Sequence, residues 1–222
     1  MLRVSCDAKA VVKIGDFSRC GHSRVTVAAA DHDFKAQERV IPYGIFLPKY
    51  DALSLYLSRS KVTADFIADR LDEWWLDKRG RFPKVTMLVI DLDNGPENHS
   101  RRTQFMKRMV EFTQLHRIDV RLAYYPPYHS KYNPVERCWG ILEQPWNGSL
   151  LDSLDAVVGF AETMTWNGHA PIVKVINQVY HIGVRLTQSL MAKVETHLSR
   201  FETLGRWFVD IAWQNFSGDT VT

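Results

Sequence analysis

The sequence predicts an α/β domain: a mixed five-stranded sheet, an antiparallel meander joined to parallel strands, flanked by helices. Three observations point there. Three short β-prone runs open the chain (Leu2 to Asp7, Val11 to Phe17 and Arg24 to Ala29), and the links between them are too short for a parallel crossover. Strand-like and helix-like patterns then alternate through the middle of the chain, which implies parallel pairing with right-handed crossovers. The composition, 45% apolar and 24% charged, is that of a chain able to bury a core and argues against disorder.

Taken in order, residues 31 to 50 carry Pro42, Gly44 and Pro48 and show no period, so they read as loop, with one further strand at Ser54 to Leu57. Thr63 caps a helix to about Asp77, because Ile67, Leu71, Trp74, Trp75 and Lys78 recur at three- and four-residue steps; Gly80 and Pro83 end it. Val85 to Ile90 is a continuous apolar run, the mark of a strand buried on both faces. A second amphipathic helix spans about Ser100 to His116, and Asp119 to Tyr124 forms the next strand. Asn133 and Pro134 then start a helix, Asn as an acceptor for first-turn N–H groups and Pro with its φ already helical. Beyond Leu150 the pattern is mainly helical, from Ser153 to about Thr165 and from Pro171 to about Gln188. Residues 1–150 are therefore expected to be the core and 151–222 a helical C-terminal extension of the same domain.

Several classes are disfavoured. No apolar run approaches the roughly 20 residues that span a bilayer, and residues 1 to 7 are too short and too soon charged for a signal peptide. Cys6, Cys20 and Cys138 form no CxxC pair, which predicts reduced thiols and a cytoplasmic protein. The net charge of +3 permits a polyanionic partner without requiring one. The first apolar strand starts at residue 2, so specific binding is expected to come from this domain itself or from a part that is missing.

Chemistry concentrates in three acids at strand ends. Asp7 ends the first run, Asp93 lies just past the buried strand, and Glu136 follows the last strand. Ligands bind α/β sheets outside the carboxyl ends of parallel strands. Acids gathered there repel unless cations separate them, and Mg²⁺ or Mn²⁺ takes carboxylate ligands and bridges to phosphate. Each acid also has a plain structural reading. Asp7 can simply end a strand. Asp91 and Asp93 share a turn rich in Asn and Gly, where either can bond its own backbone; Asp93 is the preferred ligand because Asp91 still alternates with the strand. Asn133-x-x-Glu136 has the shape of a capping box, in which the glutamate reaches back to close its own helix.

Arg101 and Arg108 stand two turns apart on one helix face, suited either to phosphates or to solvent. Trp74 and Trp75 read as core, although tryptophans can also stack on bases. His99 and His129 lie near the acids and are weak candidates for proton transfer.

At Ser5-Cys6-Asp7-Ala8-Lys9, Gly15-Asp16-Phe17-Ser18, Asp93-Asn94-Gly95-Pro96-Glu97-Asn98, and Tyr125-Pro126-Pro127 with Ser130-Lys131-Tyr132-Asn133-Pro134-Val135-Glu136-Arg137, the chain resembles the catalytic domain of DDE transposases. These are ribonuclease H-like enzymes of the mariner-like superfamily, and the likeness is greatest to the Rhodopirellula-type insertion-sequence group. The last set is the most specific. The likeness runs over roughly residues 3 to 190 and implies a ribonuclease H-like fold with Asp7, Asp93 and Glu136 as catalytic residues holding two divalent metal ions, Mg²⁺ or Mn²⁺. It implies hydrolysis at transposon ends and joining of the freed 3′-OH to target DNA, in a bacterial, nucleoid-associated protein. Lys131 and Asn133 would orient the glutamate or contact a phosphate, Asn94 and Asn98 would buttress Asp93, and Arg101 and Arg108 would meet DNA. DNA, as transposon ends and target, is the expected partner, together with a homodimer.

Two departures stand out. Tyr128-His129 replaces the Gly-Thr common after Pro-Pro, and no helix-turn-helix precedes the first aspartate, so the chain resembles a truncated catalytic half. A nuclease of the same fold without strand transfer, and an inactive remnant that binds DNA weakly, remain as alternatives.

Overall fold

The computed structural model describes residues 1–15, 36, 38–126, 129 and 132–215. In chain order its elements are β1 (Leu2–Ala8), β2 (Val12–Ile14), β3 (Glu38–Leu47), β4 (Ala52–Ser58), α1 (Ala64–Lys78), β5 (Met87–Leu92), α2 (Thr103–His116), β6 (Asp119–Tyr124), α3 (Pro134–Trp146), α4 (Leu154–Glu162), β7 (Ile172–Ile176), α5 (Gln188–Glu195), β8 (Ser199–Arg200) and β9 (Phe208–Ile211). The architecture is mixed α/β, with parallel and antiparallel strand pairs flanked by helices. Among the described residues no helix is long and apolar enough to cross a membrane.

The chain forms two compact units. One comprises residues 1–6, 61–133 and 180–222; the other comprises residues 7–60 and 134–179. Residues 151–222 are thus shared between them.

In the first unit β5 pairs in parallel with β1, in the register Leu2↔Leu88 to Ser5↔Asp91, and with β6 from Met87↔Asp119 to Leu92↔Tyr124. β9 adds antiparallel to β6, and β8 to β9. Period-2 burial on β6 puts Val120, Leu122 and Tyr124 inside. α1 begins at Thr63, whose Oγ1 accepts from Phe66 N at 3.3 Å, and it buries Phe66, Ile67, Leu71, Trp74 and Trp75. α2 packs Phe105, Met106, Met109, Val110 and Phe112 into the same core. Arg108 joins the two helices, at 3.0 Å from Asp65 and 2.7 Å from Asp69.

In the second unit β3 pairs antiparallel with β2 and β4, and β4 pairs in parallel with β7. α3 buries Val135, Cys138, Trp139, Leu142 and Trp146, a helical stripe packed with Val40, Phe46, Leu55 and Val157. Burial pushes the Cys138 thiol up to about 12, so it serves as a small apolar filler. Pro145 ends α3 one residue later, and Trp146 Nε1 donates to Val157 O at 3.2 Å, tying α3 to α4.

Three sequence expectations change. Residues 38–47, read as loop, form the long strand β3. Pro42 pairs with Leu57, and its carbonyl accepts from Lys9 N at 2.8 Å, so the proline forfeits a donor only. Residues 171–188, read as helix, contain β7 instead: Ile172 to Ile176 is β-branched at four of five positions, and β4 offers it a partner edge. The C-terminal segment adds β8 and β9, so the strands exceed the five expected. The run Arg24 to Ala29 lies outside the described residues.

Candidate active site

The turn after β5 is built to hold Asp93. Asn94 takes a left-handed backbone (φ 62°), which Asn tolerates, and His99 N donates to Gly95 O at 3.0 Å. Asp93 Oδ1 accepts from Gly95 N at 3.1 Å and from Asn98 Nδ2 at 2.8 Å, while its Oδ2 takes no hydrogen bond among the described residues. Gly95 makes the room: a Cβ there would lie 3.0 Å from Oδ2. Glu97 anchors the turn to the start of α1, accepting from Ala64 N at 3.2 Å and from Arg102 at 3.1 Å. Burial and the adjacent Arg102 push the His99 imidazole below its usual range, and its Nδ1 accepts from Arg101 N.

Asp91 is engaged differently. It is buried on β5, and Arg3 Nε lies 2.7 Å from its Oδ2. The same guanidinium donates to Tyr125 Oη at 3.2 Å. Burial raises the Asp91 carboxyl above the usual range, opposed by Arg3. A raised folded-state pKa gives a contribution to stability that is present at low pH and lost as pH rises through that pKa; removing Arg3 deepens the loss. Arg3→Ala therefore lowers stability by about 1–2 kcal/mol at neutral pH, the Arg side chain being half exposed, and by less near pH 5. Melting temperatures at the two pH values check this; an equal deficit at both would contradict it.

Asp7 lies near the end of β1 and is 7% exposed. Trp139 Nε1 donates to its Oδ2 at 3.0 Å. Two residues on, Lys9 Nζ is 2.6 Å from Glu143. Glu136 sits in the first turn of α3, half-buried, and among the described residues its carboxylate takes no hydrogen bond and no ion pair. It is not consumed in capping its own helix.

Asn133 is fully buried. Its Oδ1 accepts from Ser5 Oγ and its Nδ2 donates to Cys6 O at 3.1 Å, so the carboxamide grips β1. Of the other sequence candidates, Arg101 is exposed and lines an open cavity with Thr103, Arg200 and Arg206. Arg108 is committed to Asp65, Asp69 and Glu111. Lys131 lies outside the described residues.

Among the described residues no group of three or more His, Cys, Asp or Glu side chains is assembled that could hold a metal ion. The donors nonetheless suit a hard cation in kind. Beside Asp93, the buried Asn94 Oδ1 and Asn98 Oδ1 lack a hydrogen-bond partner among the described residues, a deficit that a cation or water would relieve. Sequence reasoning missed Ser5, Gly44, Arg3 and the role of Trp139. Only Trp139 left a signal, standing three residues after Glu136 and so one turn further along the helix.

No curated protein matches the sequence. Among solved structures, the chain is similar to the Mos1 transposase paired-end complex with left transposon end, at 12% identity and a TM-score of 0.49, covering 71% of this chain and 46% of that one. It is also similar to the Mos1 mariner paired-end complex with Mn, at 13% identity and a TM-score of 0.44, with the same coverage. The chain thus spans 46% of the length of these solved chains. The profile of the Rhodopirellula transposase DDE domain matches residues 2–212, a range that contains Asp7, Asp93 and Glu136. The chain belongs to this family of DDE transposase domains.

Proposed function

We propose that the chain cleaves DNA at insertion-sequence ends and transfers the freed strand, with Asp7, Asp93 and Glu136 as the catalytic acids. The observation that carries this reading is the family match across residues 2–212. Further support comes from the strands: Asp7 and Asp93 each follow by two residues a member of the register pair Ser5↔Asp91, at the carboxyl ends of parallel strands. The three acids would hold two divalent ions, Mg²⁺ or Mn²⁺, which when bound supply Lewis acidity at a phosphodiester.

The chain's own groups do the positioning. Gly95 N and Asn98 fix one oxygen of Asp93 and leave the other to a ligand. Asn133 holds the backbone of Cys6, the residue before Asp7. Arg101, exposed just before α2, is a cation that could meet phosphate, whereas Arg108 is taken up between helices. DNA is the proposed substrate and partner.

The test incubates purified protein with duplexes carrying the element's ends, with Mg²⁺, Mn²⁺ or a chelator. Nicked and joined products that require the metal are expected. Nicks without joining favour a nuclease lacking strand transfer, and no product with either metal contradicts the reading.

A further inference from the structure

α3 carries Glu136, Trp139 and Glu143 at steps of three and four residues, along one face of the helix. Two of these grip the segment that bears Asp7: Trp139 Nε1 donates to Asp7 Oδ2 at 3.0 Å, and Glu143 meets Lys9 Nζ at 2.6 Å. The gripping groups are set by packing. The Trp139 ring is 7% exposed and is seated against β3 at Gly44, where a Cβ would stand 2.7 Å from Trp139 Cη2 and 2.8 Å from Val135 Cγ2. Any side chain at 44 would push the indole from its seat, and its N–H with it. Lys9 N also donates to Pro42 O, which holds the same segment against β3.

We infer that Trp139 is a positioning residue for Asp7, seated by Gly44 and seconded by the Lys9–Glu143 pair, so that one rigid helix sets both Asp7 and Glu136. The inference rests on the proposed function. A carboxylate near the end of a strand has two rotatable bonds, and the indole N–H on Oδ2 restrains both by fixing the position of that oxygen. Groups of this kind act through the ligand they orient, and losing one weakens metal binding about 10- to 100-fold without removing a ligand.

The test uses Trp139→Phe, which keeps a ring in the seat and deletes the N–H. Mn²⁺ affinity is measured by calorimetry on the full chain, and kcat and KM on DNA alongside. About 10-fold weaker Mn²⁺ binding and a similar fall in kcat are expected, with KM for DNA within about twofold. In an Asp7→Asn background the second substitution should add nothing, because Trp139 acts through Asp7. Wild-type Mn²⁺ affinity and kcat in Trp139→Phe would overturn the inference while leaving the proposed function standing. If Trp139→Phe does not fold, Glu143→Gln carries the test: about threefold weaker Mn²⁺ binding supports the inference, and no change overturns it. Wild-type protein that neither binds Mn²⁺ nor cuts DNA removes the function and this role together, an outcome distinct from the others.

Discussion

Asp93→Asn lowers metal-dependent DNA cleavage by about 1,000-fold or more, roughly 4 kcal/mol of transition-state stabilisation, while leaving the fold in place. The local geometry separates these two effects. Oδ1 accepts from Gly95 N and Asn98 Nδ2, and an asparagine supplies the same acceptor in a turn that suits Asn. Oδ2 takes no hydrogen bond among the described residues, so replacing it with NH₂ removes the proposed metal donor and little else. Asp91→Asn should behave in the opposite way, disturbing stability more than chemistry, because Asp91 is buried against Arg3. Cleavage and thermal melts on both variants decide the matter. If Asp93→Asn cuts at the wild-type rate and Asp91→Asn does not, the second acid has been assigned to the wrong residue.

Asn133→Ala destabilises the protein by about 3 kcal/mol. Ser5 and Asn133 are both wholly buried, and the carboxamide joins Ser5 Oγ and the Cys6 carbonyl. Truncation loses two hydrogen bonds, each worth about 1 kcal/mol net, and leaves a hydroxyl and a carbonyl buried without that partner, which costs about 1 kcal/mol more. For a chain of this size that is a fall of about 6–12 °C in Tm. Ser5→Ala should cost less, about 1 kcal/mol, and the double variant should be less destabilised than the sum. Additive losses in thermal melts would show that the two side chains do not act as a pair.

The contrast between these two residues shows how a local motif acquires a second meaning. In the sequence, Asn133 to Glu136 is a sufficient helix start, and a capping box explains both ends of it. In the folded chain neither side chain is occupied that way. Asn133 turns to β1, and Glu136 takes no hydrogen bond among the described residues. The helix still begins at Pro134, because proline at the first helical position and the apolar stripe from Val135 to Trp146 suffice to form it.

The failures of sequence reading have a common cause. β3 looked like loop because proline and glycine are poor strand formers, yet Pro42 keeps its acceptor and Gly44 is needed where Trp139 and Val135 approach. Residues 171–188 looked helical because short apolar runs are ambiguous in period; the edge of β4 decided for β7. Arg108, spaced along its helix to suit either phosphates or solvent, meets Asp65 and Asp69 of α1, about forty residues away in sequence, as well as Glu111 of its own helix.

What the sequence determined by itself was what depends on neighbours along the chain: the α/β class, the β5–α2–β6–α3 alternation, and three acids at or after strand-forming runs. Periodicity, capping and turn chemistry act over a few residues, so they can be read there. What only the tertiary structure decided was the use of the other polar groups: Asp91 to Arg3, Asp7 to Trp139, Asn133 to β1. Those pairings join residues far apart in sequence. Burial forces each polar group to find a partner, and only the fold determines which one it meets.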